Sequence, residues 1–401
     1  MAKILYITPF FNYPPRDGAS HRSVKFFEKL YEKHDVVVLT YPHKSLEFYS
    51  NQSKGKYKIH KLPSIHKENI KLSFFKRLFS SELPGFASHD INCILESIDK
   101  LILEYGKFDI YYFATQLMGQ IVLKKKWPGV YVIDLYDVYA THREGKILDV
   151  PIWRPFHWLF HIEALRVKNY EKKIFQLFDH ILVTCLDDLH TIKSRVHNSS
   201  VYEIPNGVNF PQKKSRNLKS EIMLMVGNFE HSPNNAGILW FYNEVWQMVK
   251  NGLSYSKLIL VGKIPQSLKT IFSDDKDIEI TGLVSNLDPY YEKAGCVIIP
   301  IFHLSGMKLK LLEAMAYGIP IVSTPTGAIG FEDIDVITVA STPKSFAEAI
   351  LSILTSHNKN EKELDRVRQL IKKKYTWDKI GGDLNNILDS LEENINDRAS
   401  S

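Results

Sequence analysis

Short apolar runs of strand type alternate with helical patterns along this chain, in two series of matching rhythm, and that rhythm restricts the fold more than any other feature. The first series gives KILYIT, a helix from about Ser20 to Lys33, then DVVVLT, DIYYF, YVIDLY and HILVTC. After Pro205, Asn206 and Gly207 comes the polar stretch PQKKSRNLKS, so that residues 206–220 read as a linker. A second series follows: EIMLMVG, a helix from Asn234 to about Val249, KLILVG, DIEITG, a short helix near Leu287 to Lys293, CVIIPI, a helix from Met307 to Tyr317, IPIVST and DVITVA. Strands separated by helices pair in parallel and bury both faces of their sheet. The expectation is an α/β chain of two Rossmann-like domains facing one another across a cleft, at residues 1–205 and 221–376. The last helix, at about 377–391, is placed so that it can cross back onto the first domain. At 401 residues the chain is long enough for both.

Composition removes several other classes. With 44% hydrophobic and 24% charged residues the chain lacks the signature of disorder. No apolar run approaches the roughly 18 residues that a membrane-spanning helix needs, and Met1 to Phe10 reads as a strand ending at Pro9 rather than as a signal peptide. A cytoplasmic protein is expected. Three cysteines, Cys93, Cys185 and Cys296, are too far apart for a disulfide framework or a metal pair. Charge is uneven: residues 1–205 hold 29 Lys and Arg against 22 Asp and Glu, and the remainder 22 against 23. Much of the excess lies in residues 54–85, where KLSFFKRLF, Lys71 to Phe79, sets Lys71, Lys76 and Arg77 beside Phe74, Phe75, Leu78 and Phe79. Such a segment can hold an anionic membrane surface at the inner face of the cytoplasmic membrane; the alternative is a loop and helix whose aromatics pack on the first core. No nucleic-acid partner is expected.

Ligands of Rossmann-like sheets sit at the carboxyl ends of the strands. The first strand runs into TPFFNYPPRDGAS, which has one glycine and no GxGxxG. Walker A, nucleophile-elbow and HExxH patterns are absent too, which argues against a nicotinamide enzyme, a P-loop NTPase, a serine hydrolase and a zinc hydrolase. No cofactor and no metal are expected, because Asp274, Asp275 and Asp277, and likewise Asp187 with Asp188, read as solvated carboxylates rather than a metal pair.

The most informative stretch is IPIFHLSGMKLKLLEAMAYGIPIVSTPTGAIG, residues 299–330. Ser305 can cap its helix, Leu311, Leu312 and Met315 supply a buried stripe, Gly318 ends it and Pro320 prevents continuation. Lys308 and Lys310 occupy the start of the helix, where the macrodipole disfavours cations by about 0.3 to 1 kcal/mol. An anion such as a diphosphate, held between the two ammonium groups and the free N–H groups after Gly306, would account for them. Pairing of Lys310 with Glu313, three residues on, is the alternative.

SGMKLKLLEAMAYGIPIVST resembles the donor segment of GT-B glycosyltransferases, in particular the family 4 retaining enzymes, also called glycosyl transferases group 1. PFFNYPPRDGASHRSVKFFEKLYEKHDVVVL, IPNGVNF, MVGNFEHSPNNAGILWF and TGLVSNLDPYYEKAGCVIIP are similar to further family segments in the same order. The resemblance implies transfer of a sugar from a nucleotide sugar to a glycan or lipid-linked glycan acceptor, with retention of configuration. It implies a donor site at Gly227, Asn228, Val284, Gly306, Met307, Lys308, Lys310 and Glu313, with Glu313 on the ribose hydroxyls, and an acceptor side at Gly18, His21 and Arg22, the last two having an ordinary surface-helix position as their alternative.

Three departures from the family pattern matter. The first of the paired glutamates is replaced by Ser305. The basic residue after the first strand of the second domain is missing, with Asn228, Asn234 and Asn235 in that stretch, so Lys308 and Lys310 would supply the positive charge as catalytic groups. The histidine after the strand matching YVIDLYD is absent; Tyr136 or Asp137 stands there, and Asp137 is the candidate for stabilising an oxocarbenium-like transition state or taking a proton. Its alternative is a capping aspartate. A nucleotide-sugar epimerase of similar architecture and a non-catalytic sugar-nucleotide binder are the competing readings.

Overall fold

The computed structural model describes residues 1–9, 11–12, 15, 18–43, 57–63, 91–136, 138–139, 157–197, 199–212, 217, 220–303, 306–331, 334–356 and 361–400. Two units emerge, Met1–Pro205 with Ile380–Ser401, and Asn206–Lys379.

The first unit is built on a parallel sheet of seven strands in the order β3-β2-β1-β4-β5-β6-β7. These are β1 (Lys3–Thr8), β2 (Asp35–Thr40), β3 (Lys58–Lys61), β4 (Ile110–Phe113), β5 (Val130–Leu135), β6 (His180–Val183) and β7 (Ser200–Glu203). The central strands are mostly apolar because helices cover both faces: β4, IYYF, is buried at every position. The two strands that the sequence pattern does not flag, KIHK and SVYE, lie at the two edges, where polar side chains reach water. Lys58, inside the basic segment, is thereby an edge-strand residue whose ammonium meets Asp35 at 2.7 Å. The KLSFFKRLF stretch lies outside the described residues.

The second unit repeats the plan with six parallel strands in the order β10-β9-β8-β11-β12-β13. They are β8 (Ile222–Val226), β9 (Lys257–Val261), β10 (Ile278–Gly282), β11 (Cys296–Ile299), β12 (Ile321–Ser323) and β13 (Ile337–Val339). Counted from the first strand of each unit, both sheets follow the doubly wound order 3-2-1-4-5-6, to which the first adds β7 at its edge. The helix after β8 passes through a π-helical stretch at Phe241–Trp246 before ending at Gly252. The long C-terminal helix, Trp377–Ser400, buries Ile380, Leu384 and Leu388. Within the first unit, Asn385 Nδ2 donates to the Lys29 carbonyl at 3.0 Å, and Gly381 lies so near Lys29 that a Cβ would come within 2.3 Å of its Cγ.

Candidate functional site

In a doubly wound sheet the strand order reverses between the first and fourth strands, and the loops leaving those two strands bound the crevice where ligands sit. In the second unit the pair is β8 and β11. The helix leaving β8 approaches the end of β11 so closely that a Cβ on Gly237 would come within 1.9 Å of the Pro300 carbonyl oxygen. Gly227, directly after β8, leaves room for another side chain: a Cβ there would be 3.0 Å from Asn234 Nδ2.

The segment after β11 supplies the charge. Gly306 has φ +74°, a left-handed conformation that favours glycine, and leads into Met307 and Lys308, both nearly buried. The helix begins at Leu309 and ends at Tyr317, with Gly318 closing it at φ +69°. Ser305 is therefore not its N-cap and lies outside the described residues; the N-cap is Lys308, which makes no side-chain capping bond. A residue with no capping oxygen at that position leaves first-turn N–H groups for other acceptors. The Lys308 ammonium folds back to donate to the Gly306 carbonyl. From the linker, Asn206 Nδ2 donates to the Met307 carbonyl at 3.2 Å, a support that the sequence reading did not assign. Leu311, Leu312 and Met315 are fully buried, each contributing about 1.5–3 kcal/mol of apolar burial that fixes the helix on the sheet.

Lys310 and Glu313 do not pair, although they are three residues apart on one helix. Lys310 Nζ donates to Asn234 Oδ1 at 2.7 Å, and Asn234 Nδ2 in turn donates to the Asn228 carbonyl at 2.8 Å. Glu313 Oε2 accepts the Tyr291 hydroxyl at 2.7 Å. The Tyr291 ring stacks on Tyr317 with centroids 4.7 Å apart, and Tyr317 donates to Asp288. Burial, reinforced by Lys308, brings the Lys310 ammonium down to about 8, against a smaller opposing pull from Glu313. Burial pushes Glu313 up to about 7, opposed by the Tyr291 hydrogen bond and by Lys310. A cation and a carboxyl whose titrations burial draws toward neutral pH, beside N–H groups at a helix start, form a site for a group that is both anionic and rich in hydroxyls. Val284 is half-buried in the turn after Gly282, whose φ is +74°, and packs on the core beneath this region.

In the first unit the corresponding segment leaves β1 and opens the helix Gly18–Tyr31. A Cβ on Gly18 would meet nothing within 4 Å, so protein packing does not itself require glycine there. His21 is half-buried. Arg22 corrects the expectation of a residue offered to a ligand: it is 1% exposed, and its guanidinium grips Asp134 through Nε at 2.8 Å and Nη2 at 2.7 Å. It also donates to the carbonyls of Ile204 and Pro205 and stacks over Phe26 at 4.2 Å. Asp137 lies outside the described residues. Its neighbour Tyr136 makes a long hydroxyl contact, 3.4 Å, with Thr115 Oγ1.

Of the acidic clusters, Asp187 and Asp274 are exposed as solvated carboxylates would be, whereas their neighbours are more engaged. Asp275 accepts Trp246 Nε1 at 2.6 Å, Asp277 meets Lys250, and Asp188 is 4% exposed with Cys185 Sγ against it. Among the described residues no group of three or more His, Cys, Asp or Glu is arranged to hold a metal. Nor is any helix among them long and apolar enough to cross a membrane.

Two parallel-sheet units of this order define the GT-B fold, and comparison with known structures agrees. Sucrose-phosphate synthase from Thermosynechococcus elongatus superimposes with a TM-score of 0.71 over 98% of this chain and all of that one, at 16% identity. Anabaena HepE in complex with UDP and glucose gives 0.66 over 97% of this chain and all of its own, at 12% identity. Residues 220–356 match the family model Glycosyl transferases group 1, a stretch that lies within the second unit. An uncharacterized 44.6 kDa protein in the cps region of Klebsiella pneumoniae is 27% identical over 180 residues, which is 43% of this chain and 45% of that relative.

Proposed function

We propose that the protein is a glycosyltransferase that moves a sugar from a nucleotide sugar to a glycan or lipid-linked glycan acceptor, with retention of anomeric configuration. The observation that carries this reading is the separation of Lys310 from Glu313 at the start of the helix after β11, within the stretch that matches the group 1 family model. Breaking the sugar–phosphate bond leaves added negative charge on a nucleoside diphosphate, which fixed donors must stabilise. Lys308, Lys310 and the N–H groups after Gly306 supply them, so this reading needs no metal. Glu313 takes the ribose hydroxyls, and Gly227, Asn228, Val284 and Met307 shape the donor pocket. Gly18, with open space at its Cβ position, and His21 serve the acceptor side, and Asp137 is the candidate beside the anomeric carbon.

The relative from a cps region supports polysaccharide assembly as the setting, and the basic segment 54–85 would then hold the enzyme on an anionic membrane surface on the cytoplasmic side. The deciding experiment incubates the purified protein with a panel of nucleotide sugars, with and without acceptor glycans. Sugar transfer that survives EDTA and falls about 100-fold or more in Lys310→Ala is expected, since one preorganised charge donor contributes about 2.7–4 kcal/mol. Donor turnover without any acceptor would indicate an epimerase, and binding without turnover a sugar-nucleotide binder; either result removes the transferase reading.

A further inference from the structure

The sequence offers Lys310 a partner on its own helix, and the structure gives it a different one. Asn234 belongs to the helix that leaves β8, 76 residues away in the chain, and its amide is tied at both ends. Its oxygen accepts from Lys310, and its nitrogen donates to the Asn228 carbonyl just past β8. Asn228 is itself fixed, its Oδ1 accepting the Glu230 N–H at 3.0 Å. Residue 227, a glycine, lies against this amide: a Cβ there would crowd it at 3.0 Å. An amide is the right chemistry for such a tether: its oxygen accepts one of the three ammonium N–H hydrogen bonds and leaves the charge intact. A carboxylate in the same place would neutralise it.

We propose that Asn234 is a positioning residue for Lys310, holding the ammonium at the end of β8 and away from Glu313, so that it remains an unneutralised cation for a diphosphate. The proposal rests on the donor-site reading of Lys310. The charged groups facing Lys310 are Lys308 and Glu313 from its own segment, with Tyr291 acting behind Glu313. Without the tether, Lys310 falls to its i+3 neighbour Glu313, and each cancels the other.

The test measures Lys310 directly, in the full-length protein, by competitive labelling with limiting acetic anhydride across pH and peptide mass spectrometry. Sugar transfer from the nucleotide-sugar panel is measured in parallel. In the wild type the labelling midpoint is expected near 8, the value set by burial and Lys308. Asn234→Asp, which keeps shape and adds charge, should raise the midpoint by about 1–3 units and lower kcat. Asn234→Ala should raise it by letting Glu313 approach, lower kcat/KM about tenfold or more, and lose that upward shift when Glu313→Gln is added. In a Lys310→Ala background, Asn234→Ala should cost little further activity. If Lys310→Ala impairs transfer while both Asn234 variants keep the wild-type midpoint and rate, the positioning role is overturned and the donor reading stands. If Lys310→Ala leaves transfer unchanged, the donor reading fails, whereas the labelling midpoints still decide what holds Lys310.

Discussion

The hydroxyl of Tyr291 donates to Glu313 Oε2 at 2.7 Å across 22 residues of sequence, and this bond opposes the effect of burial on the carboxyl proposed to hold the donor ribose. Burial favours the neutral acid; the phenol, bonded to the carboxylate, opposes it. Because a ribose contact exists in both ground and transition states, Glu313→Ala should raise the donor KM with little change in kcat. Tyr291→Phe should raise the Glu313 pKa and so raise the donor KM at pH 7, with recovery at higher pH. A Glu313→Ala variant with normal KM and collapsed kcat would assign the carboxyl to chemistry instead.

The two coupled groups also predict a narrow pH window. Burial pushes Glu313 up to about 7 and Lys310 down to about 8, so the ionised carboxyl and the protonated ammonium coexist most fully between the two. A profile of kcat/KM, which reports the free enzyme, should therefore be bell-shaped with apparent limbs near those values, belonging to the pair rather than to either residue. A bound diphosphate favours the ammonium, so the alkaline limb of kcat should lie at higher pH than that of kcat/KM. Coincident limbs in the two profiles would mean that no anion contacts Lys310 in the complex.

Close packing at the switch point predicts a stability effect with no loss of charge. A Cβ at position 237 meets the backbone oxygen of Pro300 at 1.9 Å, and a backbone atom cannot rotate away as a side chain can. Gly237→Ala should destabilise the second unit by about 1–3 kcal/mol and weaken donor binding by shifting the end of β11. Calorimetric unfolding of this variant beside Gly382→Ala, where a Cβ meets nothing within 4 Å, makes the comparison. Equal unfolding temperatures would show that the β8–β11 contact yields readily.

What the sequence made legible follows the range of the signals. KILYIT, DVVVLT, IMLMV and CVII are strands because both of their faces are covered, and continuous apolar runs record that locally. KIHK and SVYE carry no such run, because an edge strand shares its surface with water. The exit of the helix after β11 was readable from Gly318 and Pro320, but its entry was not: φ at Gly306 and the fold-back of Lys308 shift the start to Leu309, past the serine that resembled a cap. Lys310 and Glu313 could be singled out from their spacing, whereas Asn234 and Tyr291 reach them only through the sheet order. Arg22 is the strongest case of long-range override, since its partner Asp134 lies 112 residues away.

That buried pair supplies the last prediction. Arg22 and Asp134 are both about 1% exposed, and the guanidinium also satisfies the Ile204 and Pro205 carbonyls at the end of the first unit. Removing one partner strands a charge in a low-dielectric interior, which costs about 3–5 kcal/mol, while an apolar pair of similar volume can be neutral or better. Arg22→Ala should therefore lower the urea midpoint of the first unit steeply, and Arg22→Met with Asp134→Leu should recover most of that loss. Donor binding by the second unit should persist in both, measured by calorimetry with nucleoside diphosphates. An Arg22→Ala protein that unfolds like the wild type yet fails to transfer sugar would return Arg22 to the acceptor side as a ligand-binding residue.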